Sequence, residues 1–384
     1  MTTNIVPEPF PPGEFIQAEL EARDWKQVDL AEIMGVSNKV VSQLVQNKIR
    51  VTTKRAQQLA TAFNSKPEEW LKIQMLYDLA KSKLPPDERS KRKSRLWQLA
   101  PITQMIKRGW LVETENIDFL EGQFKQFYKK NDLTSDIKLD FAPRKSTDDT
   151  GLTKEQQAWF QRALNLAEAM QIKTAYSPSK SSWSNFYKEI AKLFTEPEEI
   201  RHIPKVLMKY GIRLIIVEHL PSSKIDGICF WLNRKSPAIA LSLRYNRIDW
   251  FWFTLCHELA HVHYGDGIDS KVSLDVELVG SGAQPTKDKG KEERRADEFA
   301  ANFLVNQDLL KNFYTRKART ISNADIANFA DRVGVHPGII AGQLQHKGKI
   351  AYSQGRNMLV QVRNIIIETA LTDGWGQVVT IQEE

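Results

Sequence analysis

The feature that most restricts the fold of this chain is a pair of histidines four residues apart, in the run His257-Glu258-Leu259-Ala260-His261. On an α-helix, residues four apart lie on one face, so two imidazoles at this spacing can bind one Zn²⁺. Glu258 directly follows the first histidine, where its carboxylate can reach a water molecule at the same metal. The run therefore predicts a helix with a metal-binding face.

The residues around this run predict a helix from Trp250 to His263. Apolar residues recur at helical spacing and form a stripe beside the histidine face: Phe251, Leu255, Leu259 and Val262. We expect the stripe to be buried and the histidines to border it. The run by itself leaves two alternatives open, an accidental match and a pair of structural histidines.

A later segment supplies a candidate for a third metal ligand. Zincins with two histidine ligands and one glutamate take the glutamate from a second helix, and an acid four residues further on orients a ligand histidine. Glu293 and Asp297 have this spacing, and Glu292 is the alternative ligand. The apolar residues of the segment form one helical stripe: Ala296, Phe299, Ala300, Phe303 and Leu304. We expect Glu293 and Asp297 to border that stripe, and Arg294 and Arg295 to face solvent.

These segments resemble the ImmA/IrrE family of metallopeptidases. The resemblance is carried by Trp252 to His261 (WFTLCHELAH) and by Glu293 to Ala301 (ERRADEFAA). Ile326 to Gln345 is similar to a segment that often follows in this family, so the resemblance covers about residues 200–346. It implies an α+β zincin-like domain that cleaves repressor or antitoxin proteins, often beside a helix-turn-helix partner or fused to one.

The resemblance also implies how such a domain works. The cofactor is Zn²⁺, and a fourth coordination position is open to water. The expected protein ligands are His257, His261 and Glu293. Glu258 takes a proton from the water and passes it to the leaving amine, and Asp297 fixes the orientation of His257.

The negative charge that develops on the substrate oxygen needs one more donor. Tyr264 and His336 are the main candidates, and His263 is a third. Helical spacing places His263 off the ligand face, so a structural role is its default.

An N-terminal segment has the residue pattern of a helix-turn-helix. Counted from Gln27, apolar residues fall at the buried positions of this motif: Leu30, Met34, Val36, Val41 and Leu44. Ala31 stands where the two helices cross, and Gly35 stands in the tight turn. The second helix begins near Ser37. Its outer face presents side chains of the kind that contact bases and phosphates: Ser37, Asn38, Lys39, Ser42 and Gln43.

The charge of this segment favours nucleic acid as a partner. Residues 37–55 contain five basic residues and no acid, as expected for a surface that faces a phosphate backbone. Together with Trp25, Lys54-Arg55 and Glu69-Trp70-Leu71, the segment resembles the HigA-type antitoxins of the Xre/lambda-repressor-like superfamily over about Gly13 to Ala80. The resemblance implies a dimerising domain that binds double-stranded operator DNA. A helical bundle with a solvated polar face, or a protein-docking surface, are the alternatives.

Composition excludes several other classes of protein. The chain has only two cysteines, Cys229 and Cys256, too few for a disulfide scaffold or a cysteine zinc finger, so a metal must be held by histidine and carboxylate. The N-terminus does not have the pattern of a signal peptide, and no apolar run is long enough to span a bilayer. We therefore expect a cytoplasmic protein without a membrane partner.

The net charge of +7 is unevenly distributed. Residues 81–110 contain nine basic and two acidic side chains. The net charge of this stretch is therefore +7, equal to that of the whole chain. A solvated linker and a phosphate-contacting patch both fit such a run.

The pattern of helices and strands predicts an α+β chain with four regions: a helix-turn-helix domain (13–80), a basic linker with connecting helices (81–195), a metallopeptidase domain (196–346) and a C-terminal extension (347–384). Helices are predicted over 117–130, 153–170 and 183–194. Strands are predicted over 213–218, 227–232, 238–243, 358–362 and 377–381.

The sequence therefore predicts a DNA-binding transcriptional regulator, as a homodimer, with a zinc-dependent endopeptidase domain that cleaves a repressor or antitoxin. One alternative is a HigA-like antitoxin without catalysis, whose C-terminal metal-binding domain binds a toxin or a signal. Another is a peptidase whose helix-turn-helix docks its protein substrates. The presence of Glu258 favours the first function, because a purely structural zinc site does not need it.

Overall fold

The computed structural model describes residues 10–81, 88–131, 144–145, 152–268, 273–276, 278, 289–317 and 320–373. The chain divides into two compact units, with the boundary between Lys91 and Arg92. A helical first unit and a second unit of helices with a six-stranded sheet confirm the predicted α+β class. None of the helices in the described ranges is both long enough and apolar enough to cross a membrane.

The described part of the first unit consists of five helices: α1 (Pro12–Ala22), α2 (Gln27–Met34), α3 (Asn38–Val45), α4 (Thr53–Phe63) and α5 (Pro67–Lys81). Gly35 ends α2 with φ of +63°, a left-handed conformation that glycine adopts without a steric penalty. The predicted core positions of the motif are buried, with Val36 partly so: Leu30, Ala31, Met34, Val36, Val41 and Leu44. The structure therefore confirms the helix-turn-helix.

The other elements follow in chain order: α6 (Glu88–Leu99), α7 (Ile102–Lys107), α8 (Ile117–Tyr128), β1 (Arg144–Lys145), α9 (Lys154–Ala169), α10 (Lys180–Ala191), α11 (Ile203–Lys209), β2 (Arg213–Ile216), β3 (Ile225–Trp231), β4 (Pro237–Leu241), α12 (Ile248–Tyr264), β5 (Ser273–Val276), α13 (Lys291–Leu304), α14 (Gln307–Arg316), α15 (Asn323–Val333), α16 (Pro337–His346), α17 (Arg363–Ile366) and β6 (Leu371–Thr372). Short 3₁₀ helices lie at Lys192–Phe194, Pro197–His202 and Arg356–Met358.

The strands of the second unit form one mixed sheet in the order β1-β5-β3-β4-β2-β6. Strand β3 is antiparallel to β4 and β5, whereas β2 is parallel to β4 and β6. All seven residues of β3 are buried, which shows that both faces of the sheet are covered. The predicted strands 213–218, 227–232 and 238–243 are confirmed, with bounds within two residues of β2, β3 and β4.

The two faces of the sheet pack against different helices because alternate residues of a strand point to opposite sides. Cys229 and Trp231 of β3 belong to the apolar cluster that contains α12 and α16. Ile228 and Phe230 belong to a second cluster, built on the other face with α7, α8 and α9. The unit is therefore a sheet between two helical layers.

The region interpreted from the sequence as a basic linker with connecting helices, 81–195, does contain helices, and from Arg92 onward it belongs to the second compact unit. Trp159 of α9 is completely buried, and its Nε1 donates a hydrogen bond to the carbonyl of Val217, 2.7 Å away. Some basic residues of the stretch 81–110 form contacts inside this unit. Arg92 bonds Glu121 at 2.7 Å, and the buried Arg108 donates to the carbonyl of His219 at 2.7 Å.

The predicted C-terminal extension, 347–384, is likewise integral to the second unit as far as it is described. Val362 and Ile366 are completely buried in the cluster around α12, and β6 pairs with β2. The strand predicted over 358–362 is wrong, because a 3₁₀ helix ends at Met358 and α17 begins at Arg363. The strand predicted over 377–381 lies outside the described residues.

Replacement of Trp159 by alanine should lower the free energy of unfolding of the second unit by about 3–5 kcal/mol, because it leaves a cavity beneath the sheet. Urea unfolding of the full chain, followed by circular dichroism, measures this change. Phe119 in the same region is 53% exposed, so Phe119→Ala is the control and should change stability by about 0.5 kcal/mol or less. Equally small effects of the two substitutions would restore the linker interpretation.

Candidate metal centre and DNA-contacting helix

Helix α12 carries the two histidines and is held by a buried stripe. Phe251, Leu255, Leu259 and Val262 are at most 2% exposed, as the sequence predicts. The helix ends at Gly265, whose φ of +71° lets its N–H reach the last carbonyls of the helix. His257 and His261 therefore lie one turn apart on a rigid, buried helix.

Three side-chain atoms converge at this face. The Nε2 atom of His257 lies 3.1 Å from Nε2 of His261 and 3.1 Å from Oε2 of Glu293. The Nε2 atom of His261 lies 3.8 Å from the same Oε2. Zinc with nitrogen and oxygen ligands at 2.0–2.2 Å in a tetrahedron separates its ligand atoms by about 3.4 Å. The donor set and its spacing thus fit a zinc ion.

Glu293 reaches this point from α13, which packs closely on α12. Ala296 and Ala300 are completely buried on the face of α13 toward the core, and their small side chains allow the close approach. Glu293 is 6% exposed, whereas its neighbour Glu292 is exposed. The geometry therefore favours Glu293 over Glu292 as the third ligand.

Asp297 lies on the outer side of His257, where the sequence predicts an orienting acid. Its Oδ1 is 3.0 Å from Nδ1 of His257, and Lys289 bonds its Oδ2 at 2.8 Å. Burial acts to raise the pKa of the Asp297 carboxyl, but His257 and Lys289 outweigh burial and hold the pKa below its usual range. The carboxylate is therefore ionised and can fix a proton on Nδ1, which leaves Nε2 for a metal.

A second carboxylate, Asp266, performs the same task for His261. Its Oδ2 lies 2.9 Å from Nδ1 of His261, and its Oδ1 accepts a hydrogen bond from Arg295 at 2.6 Å. Burial again acts to raise the pKa of Asp266, and His261 and Arg295 together lower it below its ordinary value. Arg295 thus bonds Asp266 while its side chain stays 39% exposed, and Arg294 is exposed as predicted.

Sequence reasoning missed Asp266 because it lies beyond the end of α12. The turn at Gly265 brings it back beside His261, and its N–H donates to the carbonyl of that histidine at 2.9 Å. Helical spacing cannot reveal a contact of this kind. The one available signal is an acid that directly follows a helix-ending glycine.

Glu258 is completely buried between α12 and β3. A Cβ atom on residue 227 would lie 2.5 Å from its Oε1, so only glycine at this position leaves room for the carboxylate. Gly227 is a second residue that the sequence analysis missed. It leaves room for the side chain of Glu258, which directly follows His257 on α12.

The two main candidates for the oxyanion donor make contacts of other kinds. His336 precedes α16 as its N-cap, where its Nδ1 accepts a hydrogen bond from the N–H of Gly338 at 3.1 Å. Tyr264 is 41% exposed, and the guanidinium of Arg295 lies 3.8 Å above its ring. The assignment of either residue as the oxyanion donor stays a prediction.

His263 has the structural role that helical spacing predicts. Its Nδ1 lies 2.8 Å from the hydroxyl of Tyr187, and its ring stacks on Phe299. Burial, with a smaller effect of Arg295, lowers its pKa, so the ring is neutral near pH 7. Cys256 is completely buried, and burial raises the pKa of its thiol, in keeping with a small core residue.

Helix α3 presents the predicted contact residues at one surface of the first unit. Ser37, Asn38 and Lys39 are exposed, and Ser42 and Gln43 are half-buried on the same helix. The exposed Lys48 and Lys54 extend the positive charge of this unit.

Two of the five basic residues of this segment are engaged locally. Arg50 pairs with Asp78, and Arg55 donates to the carbonyl of Arg50 at 2.8 Å. Both guanidinium groups remain charged, and Lys39, Lys48 and Lys54 are the other three cations of the segment.

Comparison with protein families gives two matches. The model described as helix-turn-helix matches residues 16–71, and the peptidase M78 model, described as IrrE N-terminal-like domain, matches residues 208–345. The second match contains the histidine pair and both residues Glu293 and Asp297.

Individual relatives are similar over a limited length. An uncharacterized HTH-type transcriptional regulator of Haemophilus influenzae is 40% identical over 73 residues, which cover 19% of this chain and 68% of the relative. The HTH-type transcriptional regulator YbaQ of Escherichia coli K12 is 37% identical over 19% of this chain and 65% of the relative. The chain thus spans about two thirds of the length of these relatives. A HigA-family addiction module antidote protein from Coxiella burnetii has a solved structure that is 28% identical, covers 20% of this chain and 84% of that chain, and has a TM-score of 0.20.

The geometry predicts a graded response of zinc binding to substitution. Glu293→Ala should remove most of the bound zinc, because it deletes one of three ligands. Asp266→Ala should keep the ligands but lower zinc affinity by about 10- to 100-fold, because His261 loses its orienting partner. Metal analysis after dialysis, with competition by a chromophoric chelator, measures both changes.

The exposed neighbour Glu292 provides the control, and Glu292→Ala should bind zinc as the native chain does. Stoichiometric zinc in the Glu293→Ala protein would refute the ligand assignment. An unchanged affinity in Asp266→Ala would refute the role of Asp266 alone.

Proposed function

We propose a two-part function for this chain, which belongs to the helix-turn-helix transcriptional regulators and carries a domain of the peptidase M78 family. The first unit binds double-stranded operator DNA, and the second is a zinc-dependent endopeptidase. Its substrate is a repressor or antitoxin protein. The convergence of His257, His261 and Glu293 is the observation that carries the enzymatic part of the proposal.

Zinc held by these three residues supplies a Lewis acid that makes a water molecule and a peptide carbonyl reactive near neutral pH. Glu258 accepts a proton from the attacking water at its carboxylate and returns it to the leaving amine nitrogen. Asp297 and Asp266 keep both histidines in the tautomer that presents Nε2.

The position of Glu258 supports catalysis over a purely structural metal site. A structural site is closed by four protein ligands, whereas three candidate ligands converge here among the residues that the structure describes. Glu258 adjoins His257 in the chain and is seated against the glycine of β3, where its carboxylate is shielded from bulk water.

The exposed start of α3 supports the DNA-binding part of the proposal. In a helix-turn-helix, the N-terminal residues of the second helix contact base edges, and lysines around it contact phosphates. Ser37, Asn38 and Lys39 occupy that end of α3, with Ser42 and Gln43 one turn further on. We propose that the chain binds its operator as a homodimer, with one copy on each half-site.

Glu258→Gln should abolish cleavage while keeping zinc, because glutamine has nearly the shape of glutamate but cannot accept the proton. A loss of about 100- to 10,000-fold in rate is expected for removal of a general base. The assay incubates the zinc-loaded chain with purified helix-turn-helix repressor and antitoxin proteins and follows fragment masses. Glu292→Gln, an exposed neighbour of a ligand, is the matched control and should cleave as the native chain does.

Cleavage by Glu258→Gln at the native rate would exclude Glu258 as the base. If the native chain retains zinc but cuts none of the proteins, the result supports a HigA-like antitoxin whose metal-binding domain binds a toxin or signal.

Lys39→Ala and Gln43→Ala should both weaken operator binding, but in different ways. Loss of a phosphate contact at Lys39 should weaken binding to all duplexes and reduce the slope of log affinity against log salt by about 1. Loss of a base contact at Gln43 should cost about 1–3 kcal/mol and relax sequence preference. Gel-shift titrations with a duplex selected from a random library test both, with the exposed Lys72 of α5 as the control substitution. Equal affinities of Lys39→Ala and Lys72→Ala would place the DNA surface elsewhere.

A further inference from the structure

Helix α6 is anchored to the second unit from Arg92 onward. Leu96 and the following Ala100 are completely buried on one edge of the helix. One turn earlier on the same edge, Arg92 makes a bidentate contact with Glu121 of α8, with its Nε and Nη2 atoms 2.9 and 2.7 Å from the carboxylate oxygens. Arg92 also bonds Asp118 at 2.5 Å. One edge of α6 is therefore held on α8, and the nearest acids of α8 are already paired.

The side of α6 opposite this edge carries a central row of uncharged polar residues. At about 100° per residue, positions four apart form a row along a helix. The central row consists of Ser90, Ser94 and Gln98, all of which are exposed. Because two of these side chains are short, α6 can approach another surface closely along this row.

Basic residues form a flanking row on each side of the central row. Arg89 and Lys93 lie on one flank, and Lys91 and Arg95 lie on the other, as their spacing of four requires. All four are exposed. Lys91 is 3.9 Å from Glu88, but both side chains are well exposed, so the pair is weak and leaves the charge of Lys91 largely available. The solvent side of α6 thus has a neutral centre between two positive flanks.

Trp97 orders two cations at one end of this surface. The Nζ atom of Lys93 lies 5.3 Å from the centroid of the Trp97 ring, a cation–π contact. The exposed Lys154 of α9 donates a hydrogen bond from its Nζ to the carbonyl of Trp97 at 3.0 Å. The positive surface therefore extends beyond α6.

A polyanion with closely spaced charges fits this surface. Duplex DNA carries one negative charge per about 1.7 Å of its axis, so a protein helix about 10 Å across lies near several phosphates. The chain also contains a helix-turn-helix unit, and only residues 82–87 separate α5 from α6. Once that unit holds DNA, phosphates are present near α6 at a high effective concentration, so contacts that are weak one by one can form.

We propose that α6 is a second DNA contact, which binds the phosphate backbone of the duplex held by the first unit and has no sequence preference of its own. The central row faces the backbone, and the flanking cations pair with phosphates on both sides. This inference rests on the proposed DNA binding by the first unit and adds to it a role for the basic stretch.

Lys93→Ala combined with Arg95→Ala removes one cation from each flank and should keep the helix, because alanine is a strong helix former. Gel-shift titration of the full chain with the selected duplex should show an affinity about 10- to 100-fold lower at 0.1 M salt. The slope of log affinity against log salt should fall by about 2. The ratio of affinities for the selected and a scrambled duplex should stay at the native value, because phosphate contacts do not read sequence.

Two further sets of variants locate the effect. Ser94→Glu places a negative charge on the central row and should weaken binding by about 10-fold, whereas Ser94→Ala should bind as the native chain does. Lys311→Ala combined with Arg316→Ala removes the same two charges from exposed positions of α14. This matched control should keep the native affinity and the native salt slope.

Native affinity and slope after loss of Lys93 and Arg95, while Lys39→Ala and Gln43→Ala weaken binding, would refute the role of α6 and leave DNA binding by the first unit standing. A lower affinity with an unchanged slope would also refute it, because the loss would not come from phosphate contacts. Native DNA binding combined with weaker binding to poly-glutamate would assign the surface to an acidic protein segment instead. If the native chain binds no duplex, the DNA-binding proposal and this inference fail together.

Discussion

The close packing of α12 on α13 is the contact on which the rest of the second unit depends. It joins His257 and His261 on one helix to Glu293 on the other, and it is possible because Ala296 and Ala300 leave room between the helices. A buried carboxylate and two buried imidazoles without a common cation are costly. A metal ion at this point would offset that cost, so the same contact would serve both stability and the proposed chemistry.

Helix α12 packs against one face of the sheet. Strand β3 is buried on both faces, with α12 on one side and α9 on the other, and its Gly227 holds Glu258 in place. The middle region of the chain therefore supports the candidate site, since it covers the face of the sheet opposite the candidate metal ligands. A shift of β3 would be transmitted directly to Glu258.

The two histidines are supported in the same manner. Each Nδ1 faces a carboxylate, buried at Asp297 and partly buried at Asp266, and each carboxylate also bonds a cation: Asp297 with Lys289, and Asp266 with Arg295. The cations balance the carboxylates, which stay ionised despite burial. Both imidazoles then present Nε2 to the same point, and neither depends on the metal to choose its tautomer.

The sequence by itself determined the features that local periodicity governs. Spacing of four along a helix identified His257, His261, Glu293 and Asp297, and the turn at Gly35 identified the helix-turn-helix, because neighbours within one or two turns are fixed by helix geometry. Only the tertiary structure decided the contacts of Asp266 with Arg295 and of Glu258 with Gly227, which are separated by about 30 residues of chain. It also decided that α9 packs under the sheet and that His336 caps a helix. Such contacts depend on the path of the chain between the elements, which periodicity within one element does not contain.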